Sequence, residues 1–512
     1  MFQITNLNKG FISKTGIPSI ALSNVSLKLP SKGLVFILGK SGSGKSTLLN
    51  LLGGLDYCDN GEITINNTSL RNLNANDIDC YRNGNVGFIF QDFNLIEDMT
   101  VFENVALPLQ LQGKEVNPNL IHQLLKDVEM SGFDYRKINE LSGGQKQRIA
   151  IIRAIVKNPQ IILADEPTGN LDSETGTKIF NILQALSKEK LVCVVSHDHE
   201  NAYNYGDRVI EFKDGIIISD LTRDLSKKET PKIKLEKGKV LTEELLLQIQ
   251  QQGQGSHQLK KQFTSTDPTK IKDEGQPLVK SPSVLPSKIA FKMGSSFLQN
   301  KKFSTAFVSL ASVGLSFAVY LQIVVLVNAL SFYKQTQAQM APELFEAIKS
   351  KLPLTNLQIF FIITILFVQL FFWIVTGGFV KKSIQFKHKD IGILRALGAR
   401  GKDVFKIFFS EGLIIAILAT IWGIILFGIK YFWMSEPFAY YFSLGQQKGW
   451  EMTVFMQSLT RINLELKHQW IIAWYSLFLM EFLLCVLLVF LTTYPAIKKL
   501  SRKKPIDVIL KK

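Results

Sequence analysis

A glycine-rich segment constrains the fold of this chain more than any other feature. It covers residues 39–46, has the sequence Gly-Lys-Ser-Gly-Ser-Gly-Lys-Ser, and directly follows the apolar run 34–38. The apolar run predicts a buried strand, and the glycines after it allow consecutive backbone N–H groups to converge on phosphate oxygens. A helix that begins near Lys45 would direct the positive end of its dipole at the same charge. The sequence therefore predicts a strand, a phosphate-binding loop and a helix that together hold a nucleotide.

Individual residues of this loop suit different parts of the nucleotide. Lys45 is expected to contact the β- and γ-phosphates, and Ser46 to hold Mg²⁺. A chance Gly/Ser turn is the alternative, but the apolar strand signal before the loop argues against it. The residues predicted to bind the nucleotide here are Gly39, Lys40, Ser41, Gly42, Ser43, Gly44, Lys45, Ser46 and Thr47.

A second strand signal places two carboxylates near this loop. The apolar run 161–164 ends in Asp165 and Glu166, and open α/β folds bind ligands at the carboxyl ends of their parallel strands. We expect Asp165 to hold Mg²⁺ and Glu166 to polarise the attacking water. Phosphoryl transfer depends mostly on positioning and charge neutralisation, which these groups would supply. The combination predicts a Mg²⁺-dependent hydrolase of a nucleoside triphosphate.

Further motifs give residues 1–220 a resemblance to the ATP-binding-cassette family. Gln91 follows the apolar run 86–90, and residues 141–145 have the sequence Leu-Ser-Gly-Gly-Gln. Residues 170–172 and 196–198 have the sequences Asn-Leu-Asp and Ser-His-Asp. These segments are similar, in order and spacing, to the family's Q-loop, signature motif, D-loop and H-loop.

The resemblance implies a role for each segment. Gln91 would sense Mg²⁺ and couple to a membrane domain, and His197 would reach the γ-phosphate of ATP. Phe11 stands where the family places an aromatic residue, more often Tyr, against adenine. The catalytic residues expected on this basis are Glu166, His197 and Gln91, the metal site is Ser46, Gln91 and Asp165, and the signature and D-loop residues that would bind nucleotide are Leu141, Ser142, Gly143, Gly144, Gln145 and Asp172.

The signature motif implies a partner subunit. In the family that the chain resembles, this motif covers the γ-phosphate held by the phosphate loop of the other subunit. The sequence contains one phosphate loop and one signature motif. A second copy of the chain, or a related half-transporter, is therefore expected to complete two shared ATP sites.

Four apolar stretches occupy the second half of the chain. They cover residues 303–330, 357–380, 412–429 and 470–494, and only the last contains a charged residue. A transmembrane helix needs roughly 20 apolar residues. The sequence therefore predicts an all-α membrane domain of four transmembrane helices after an α/β phosphate-loop domain of the ATP-binding-cassette type. A buried core helix is the alternative for each stretch.

The charge of the connections predicts the orientation in the membrane. Residues 381–404 and the tail 495–512 each carry seven Lys and Arg, whereas residues 331–354 carry three and residues 430–469 carry four. The positive-inside rule places the two basic connections, the ATPase domain and the C-terminus in the cytoplasm. A multi-pass protein of a bacterial plasma membrane is expected. Lipid headgroups account for the net charge of +16 better than nucleic acid does.

Composition assigns the segments between these regions. The polar residues 221–288 predict a cytoplasmic linker with a short helix over 241–252. Residues 289–302 begin the membrane domain 289–512 as an amphipathic helix on the inner membrane surface. The segment 381–404 contains one apolar stripe, which would either dock beside Gln91 as a coupling helix or lie on the bilayer. The stripe consists of Ile391, Ile393, Leu394 and Leu397.

The membrane half carries a resemblance of its own. Residues 389–399, 494–496 and 505–510 are similar to segments of permeases of the MacB and FtsX type. The resemblance implies a fused ATPase and permease of type VII, in which ATP-driven dimerisation is transmitted through the helices to the outer face. Residues 331–354 are too few for an independent outer domain. Glu481, inside the fourth apolar stretch, is either functional or a tolerated neutral carboxyl.

Two functions fit these predictions. The first is an ATP-driven transporter that exports a peptide, antibiotic or lipid-like molecule, or extracts it from the outer leaflet. The second is a signalling ATPase like the FtsE–FtsX pair, which uses ATP hydrolysis to act on a partner outside the membrane and transports nothing. Both require the lipid bilayer and a second ATPase subunit, and neither involves nucleic acid.

Overall fold

A computed structural model describes most of the N-terminal half of the chain and parts of the C-terminal half. The described residues are 2–12, 16–169, 171–224, 259–271, 277–299, 381–435 and 489–510, with isolated positions between 359 and 378 and between 482 and 487. The chain divides into two compact units. One comprises Met1–Ile289, His388–Val404 and Leu500–Lys512, and the other comprises Ala290–Lys387 and Phe405–Lys499.

The first unit contains two sheets. Their strands are β1 (Phe2–Ile12), β2 (Pro18–Leu29), β3 (Gly33–Leu38), β4 (Asn60–Ile65), β5 (Thr68–Ser69), β6 (Val86–Ile89), β7 (Ile161–Asp165), β8 (Leu191–Ser196), β9 (Arg208–Lys213), β10 (Ile216–Arg223) and β11 (Phe263–Ser265). The smaller sheet has the order β2-β1-β4-β5, and the larger has the order β11-β10-β9-β3-β8-β7-β6. Strands β6, β7, β8, β3 and β9 run parallel, and β10 and β11 add an antiparallel edge.

Helices surround the larger sheet. Those of the ATPase part are α1 (Lys45–Leu52), α2 (Ala75–Asn85), α3 (Val101–Leu111), α4 (Pro118–Asp127), α5 (Gly143–Ile155), α6 (Ser173–Ser187) and α7 (His199–Tyr205). Four helices come later in the chain, and two of them are named after the expectations for their segments: the amphipathic helix (Ser287–Gln299), the coupling helix (His388–Ala396), the long helix (Gly401–Ser435) and the tail helix (Pro505–Ile509).

The central strands are apolar along their whole length because helices cover both faces of a parallel sheet. Every residue of β8 and all but the first of β3 are buried, as are the first four of β7. These runs include the two strands that the sequence predicts before the phosphate loop and before Asp165. The predicted α/β phosphate-loop fold of the N-terminal part is confirmed.

The register of the parallel strands determines where the site lies. Leu38 of β3 pairs with Ser196 of β8, and Val195 of β8 pairs with Asp165 of β7. The carboxyl ends of these strands therefore meet at one edge of the sheet. The phosphate loop leaves the sheet at this edge.

Part of the expected linker 221–288 folds onto the ATPase part. Strand β10 extends to Arg223, and β11 pairs with it, opposing Leu221 and Ser265. Phe263 is buried with its ring centroid 5.2 Å from that of Tyr203. Polar composition suggested a plain tether, but backbone pairing with β10 and one buried aromatic ring are enough to add an edge strand. The predicted helix over 241–252 lies outside the described residues.

Residues 277–286 also attach to the ATPase part. The Asn85 side chain exchanges two hydrogen bonds with the backbone of Val279, at 2.9 and 2.8 Å. Asn83 Nδ2 donates to Ser281 O at 3.2 Å. Side-chain amides at the end of α2 thus bond the backbone of this segment in the way that a neighbouring strand would.

The second unit contains close crossings between helices. A Cβ on Gly412 of the long helix would lie 2.2 Å from Val489 Cγ1, and one on Gly294 of the amphipathic helix would lie 2.4 Å from Ser410 Oγ. Buried Glu411 accepts a hydrogen bond from Ser383 Oγ at 2.6 Å.

The predicted membrane spans are described only in part. Residues 412–429 are helical within Gly401–Ser435, while 303–330 and Glu481 lie outside the described residues, and 357–380 and 470–494 are partly outside them. In the portion of the chain that the structure describes, no helix combines the length and apolar character needed to cross a membrane.

Candidate ATP site

The phosphate loop links β3 to α1 in a conformation that requires glycine at two positions. Gly39 has a φ of 153°, and a Cβ on it would lie 2.4 Å from Phe212 O. Gly44, the residue that precedes α1, has a φ of 97°, and its Cβ would lie 2.2 Å from Ala21 O. Because both clashes are with backbone, a side chain would displace the loop. The glycines therefore hold the loop tightly against the neighbouring strands.

Lys45 is held at this loop by backbone carbonyl groups. Its Nζ donates to Gly39 O at 2.7 Å and to Lys40 O at 2.8 Å. Burial lowers the pKa of Lys45, although the charges of Glu166 and Asp165 act in the opposite direction. The ammonium is thus fixed beside the loop N–H groups, where phosphates would bind.

The loop residues differ in their exposure. Ser43 is buried, and its Oγ has no hydrogen-bond partner among the residues that the structure describes. Lys40, Ser41, Gly42 and Ser46 are exposed, and Thr47 is half-buried. The loop thus combines open positions with a buried polar atom that a ligand could satisfy.

Two oxygen atoms suited to Mg²⁺ lie side by side. Ser46 Oγ donates to Asp165 Oδ1 at 3.0 Å. Burial raises the pKa of Asp165 to about 6, with a further contribution from Glu166, while the Ser46 hydrogen bond and Lys45 oppose the shift. Hydroxyl and carboxylate oxygens are ligands that Mg²⁺ accepts, with phosphates and waters completing the octahedron. The donor set of this pair fits the ion.

Glu166 brings together the three residues expected to be catalytic. Its Oε2 accepts a hydrogen bond from Gln91 Nε2 at 3.3 Å, and its Oε1 lies 3.3 Å from His197 Nδ1. The residue has a φ of 45°, unusual outside glycine, and its N–H donates to Val195 O at 3.0 Å. Strained backbone conformations of this kind occur often at functional sites. The edge of the sheet therefore aims this carboxylate between Gln91 and His197.

The signature residues stand at the start of α5. Ser142 Oγ accepts a hydrogen bond from Gln145 N at 3.3 Å, and Gln145 Oε1 accepts one from Ser142 N at 2.9 Å. Leu141 is buried, whereas Ser142 and Gly143 are exposed and Gly144 is half-buried. This capping box satisfies the first N–H groups of the helix. It leaves the polar turn facing solvent.

The remaining predicted site residues lie on two other elements. Asp172 accepts a hydrogen bond from Thr175 N at 2.9 Å at the start of α6. Phe11 is on β1 and pairs with Ser19 of β2. Ser19 stands two residues before Ala21, whose carbonyl packs against Gly44. The ring centroid of Phe11 is 5.4 Å from Lys9 Nζ. The same hairpin therefore carries Phe11 and supports the phosphate loop.

Sequence reasoning missed a buried arginine at the end of α2. Arg82 is 1% exposed, and its guanidinium donates to Gly54 O, Asp79 Oδ1 and, at 2.9 Å, Arg395 O. Gly54 follows α1, and Arg395 belongs to the coupling helix. No local pattern identifies this residue, because two of its three acceptors are backbone carbonyls that any residue could supply.

Helix α5 reaches the same region at its C-terminal end. Lys157 Nζ donates to Arg82 O at 2.6 Å, and Arg153 donates to Phe93 O at 2.9 Å and to Asn94 O. Burial, together with the charges of Arg82 and Arg153, lowers the pKa of Lys157 to about 7. The helix that begins at the signature motif is thus fixed to the segment after Gln91 and to Arg82.

The coupling helix is buried against this part of the ATPase unit. Ile391, Ile393, Leu394 and Leu397 are all buried. A Cβ on Gly398 would lie 2.5 Å from Asn83 N. The contact is with residues 82 and 83, just before the strand that leads to Gln91.

The fold and this constellation of groups define an ATP-binding-cassette ATPase. Residues 22–169 match the family described as "ABC transporter", and residues 358–505 match "FtsX-like permease C-terminal". The chain belongs to the ABC transporter family, as a fused ATPase and permease of the MacB/FtsX-like type. It binds ATP and is an ATPase.

Individual relatives match the ATPase part. An uncharacterized ABC transporter ATP-binding protein of Methanocaldococcus jannaschii, MJ0796, is 44% identical over 225 residues, which are 42% of this chain and 94% of that protein. The ABC transporter ATP-binding protein YtrE of Bacillus subtilis is 40% identical over 43% of this chain and 99% of that protein.

Matches to a fused relative and to a solved structure cover a similar part of the chain. The macrolide export ATP-binding/permease protein MacB of Mannheimia succiniciproducens is 40% identical over 43% of this chain, and the match spans only 34% of MacB. A solved structure described as a dimeric post-hydrolysis state of MJ0796 bound to ADP and Pi is 40% identical. It covers 43% of this chain and 97% of that chain, with a TM-score of 0.41.

Proposed function

We propose that two copies of this chain form an ATP-driven transporter in a bacterial cell membrane, which exports a peptide, antibiotic or lipid-like molecule or extracts it from the outer leaflet. One observation carries the ATPase chemistry of this proposal. The Glu166 carboxylate is held between Gln91 and His197 beside the Ser46–Asp165 pair. The FtsX-like match in residues 358–505 supports the membrane role.

The phosphate loop would bind the triphosphate. Its N–H groups and the Lys45 ammonium would neutralise the β- and γ-phosphates, and Phe11 would stack on adenine. Ser46, Asp165 and Gln91 would hold Mg²⁺, which neutralises phosphate charge as it develops. The Ser46–Asp165 hydrogen bond supports this assignment, because it places two oxygen ligands side by side.

Glu166 would orient the attacking water and accept its proton. Its two oxygens contact Gln91 and His197, so the carboxylate has a fixed direction before ATP arrives. His197, with 65% of its side chain exposed, would be free to turn towards the γ-phosphate. Positioning of this kind supplies most of the catalysis in phosphoryl transfer.

A second subunit would complete the site. The turn formed by Ser142 and Gly143 is exposed, and the described hydrogen bonds of Ser142 stay within this turn. We infer that the turn, together with Asp172, contacts the ATP held by the partner's phosphate loop. Two shared sites would then close when both subunits bind ATP.

The remaining assignments follow the sequence. Residues 1–220 would form the ATPase domain, 221–288 the connection and 289–512 the permease domain with four transmembrane helices. The excess of Lys and Arg in residues 381–404 and 495–512 supports a cytoplasmic ATPase and C-terminus.

Replacing Glu166 tests the chemistry. We expect Glu166→Gln to bind ATP, to accumulate as a closed dimer and to lower ATP hydrolysis by a factor on the order of 10³, the scale of losing a general base. Hydrolysis by the purified full chain in lipid nanodiscs is the measurement. Glu174→Gln is the matched control, since that side chain is 82% exposed and pairs with Lys178 on the surface. Unchanged hydrolysis in Glu166→Gln would remove this residue from the mechanism.

Transport itself needs a separate test. A panel of peptides, antibiotics and lipids is added to proteoliposomes, and both ATP hydrolysis and movement of each compound are followed. A transported class should stimulate hydrolysis and change sides. If no compound moves while an outer protein partner alters hydrolysis, the chain is a signalling ATPase.

A further inference from the structure

The tail helix Pro505–Ile509 packs into the ATPase unit. Ile509 belongs to the same apolar core cluster as Leu48 of α1, and Val508 is buried beside it. Ile509 also meets the coupling helix: a Cβ on Gly392 would lie 2.6 Å from Ile509 Cγ1 and 2.9 Å from Ile509 N. The tail helix therefore contacts both the coupling helix and the ATPase core.

Hydrogen bonds join the coupling helix to the residues that lead into the tail helix. Arg395 is 6% exposed, and its Nη1 donates to Leu500 O at 3.4 Å and also to Lys503 O. These carbonyls come just before the first turn of the tail helix. The coupling helix and the tail thus form one hydrogen-bonded assembly within the unit.

The tail also reaches the segment that follows α1. Lys504 Nζ lies 2.6 Å from Asp56 Oδ1, and the Asp56 side chain is only 3% exposed. The same oxygen lies 3.3 Å from Lys9 Nζ. The Asp56 N–H donates to Asn50 O of α1 at 3.4 Å. One buried carboxylate therefore ties Lys504 of the tail to the end of α1.

The coupling helix reaches the same segment by a different route. Arg82 joins Arg395 O to Gly54 O, and Gly54 stands two residues before Asp56. Residues 53–56, which we call the α1 exit, thus receive two attachments. One comes from the coupling helix through Arg82, and the other comes from the tail through Lys504.

We propose that the tail helix is a second docking element, which acts with the coupling helix to fix the orientation of α1 and its phosphate loop. A single attachment leaves an element free to turn about it, whereas two attachments set its direction. The coupling helix lies between the two stretches of chain that form the second unit, and the tail follows the second of them. The inference rests on the proposed function, because orientation matters most when two ATPase domains must close face to face.

Substitutions of Lys504 test the polar attachment. We expect Lys504→Met to lower kcat about fivefold in nanodiscs, while the Kd for a fluorescent ADP analogue stays within about twofold, because closure and not nucleotide contact is affected. Lys504→Arg keeps the cation and should retain wild-type kcat. Lys503→Met is the matched control, since that neighbouring side chain is exposed. A wild-type kcat in Lys504→Met, or an equal loss in Lys503→Met, overturns the proposal.

Substitution of Gly392 tests the apolar attachment. Gly392→Ala favours the helix but forces Ile509 away, so kcat should fall by about tenfold or more and amides 506–510 should lose protection from hydrogen exchange. Lys389→Ala, at an exposed position of the same helix, should leave both unchanged. Retained protection and activity in Gly392→Ala contradict the second docking element. If the wild-type chain itself hydrolyses no ATP, the proposed function fails instead.

Discussion

The two ends of α1 are built differently. At its N-terminal end, Ser43 Oγ is buried with no partner in the described part of the chain, and Gln91 and His197 approach Glu166 only at 3.3 Å. At its exit, Arg82 satisfies three acceptors while almost fully buried, and Asp56 binds two lysines. The first end has hydrogen-bonding capacity left over, whereas the second has its charges paired.

This difference reflects what each end must do. A site for ATP needs donors and oxygens that gain their best partners only when the ligand binds, and the strained backbone at Glu166 fits that requirement. An attachment between remote segments of the chain needs to stay closed, and buried multiple hydrogen bonds resist opening. The contrast predicts that substitutions at the exit affect stability more than those at the catalytic end.

Replacing Arg82, which bonds the α1 exit, should lower stability more than any other substitution considered. Arg82→Met leaves Asp79 and two carbonyls without their donor, and removing one partner of a buried ion pair typically costs about 3–5 kcal/mol. Thermal unfolding of the purified chain in detergent is the measurement. Arg71→Met is the control, because Arg71 makes one 3.4 Å bond to Gly61 O from an exposed position and should change stability by less than about 0.5 kcal/mol. Similar losses in both variants would contradict the contrast.

Replacing Lys157 should give a smaller effect of opposite sign. Its pKa falls to about 7 from an ordinary 10.5, so the unfolded chain binds the proton more tightly and stability from this group is lost as pH falls from 10.5 towards 7. Lys157→Met removes the free-energy cost of deprotonating the buried lysine and also removes one hydrogen bond. The free energy of unfolding should therefore rise by up to about 3 kcal/mol at pH 7.

The pH dependence distinguishes this mechanism from simple repacking. Unfolding of the wild type and of Lys157→Met is compared at pH values from 7 to 9.5. The difference between their free energies of unfolding should shrink as pH rises. The reason is that removing the proton from Lys157 on folding costs less free energy as pH approaches the ordinary pKa of lysine. A constant difference would mean that Lys157 is charged and fully compensated in the folded chain.

Replacing Ser142 of the signature turn should affect ATP hydrolysis more than stability. Ser142→Ala removes one helix-capping bond and should cost about 1 kcal/mol of stability, the smallest of these changes. If the exposed turn contacts ATP on a partner subunit, the rate of ATP hydrolysis should fall by much more than this small loss of stability explains. Asn117→Ala, which removes the side-chain cap at the start of α4, provides a control of similar size. Equal, small losses of activity in both variants would count against a shared site.

Much of the ATPase fold and site could be predicted from the sequence. The strands before Gly39 and Asp165 are continuous apolar runs, and parallel strands buried on both faces have this pattern. Glu166 and His197 follow a strand directly and Gln91 stands two residues after one, so the edge of the sheet brings them together. The roles of these residues stay predictions, as do the four membrane helices.

Other features could not be predicted in the same way. Strand β11 arises in a polar stretch, because its stability comes from pairing with β10 and from one buried ring. The partners of Arg82 include the carbonyl of a residue 313 positions away. Neither backbone pairing nor a distant carbonyl leaves a pattern in the local sequence.

The sequence by itself determined the phosphate loop, the strands around it and the residues that meet at their ends, because these depend on local residue types and on hydrophobic runs. The tertiary structure alone decided that Arg82 and Lys504 converge on the α1 exit. Such contacts join a long side chain to a carbonyl or carboxylate from a remote segment. Only the packing of the coupling helix and the tail against the ATPase core brings those groups within bonding distance.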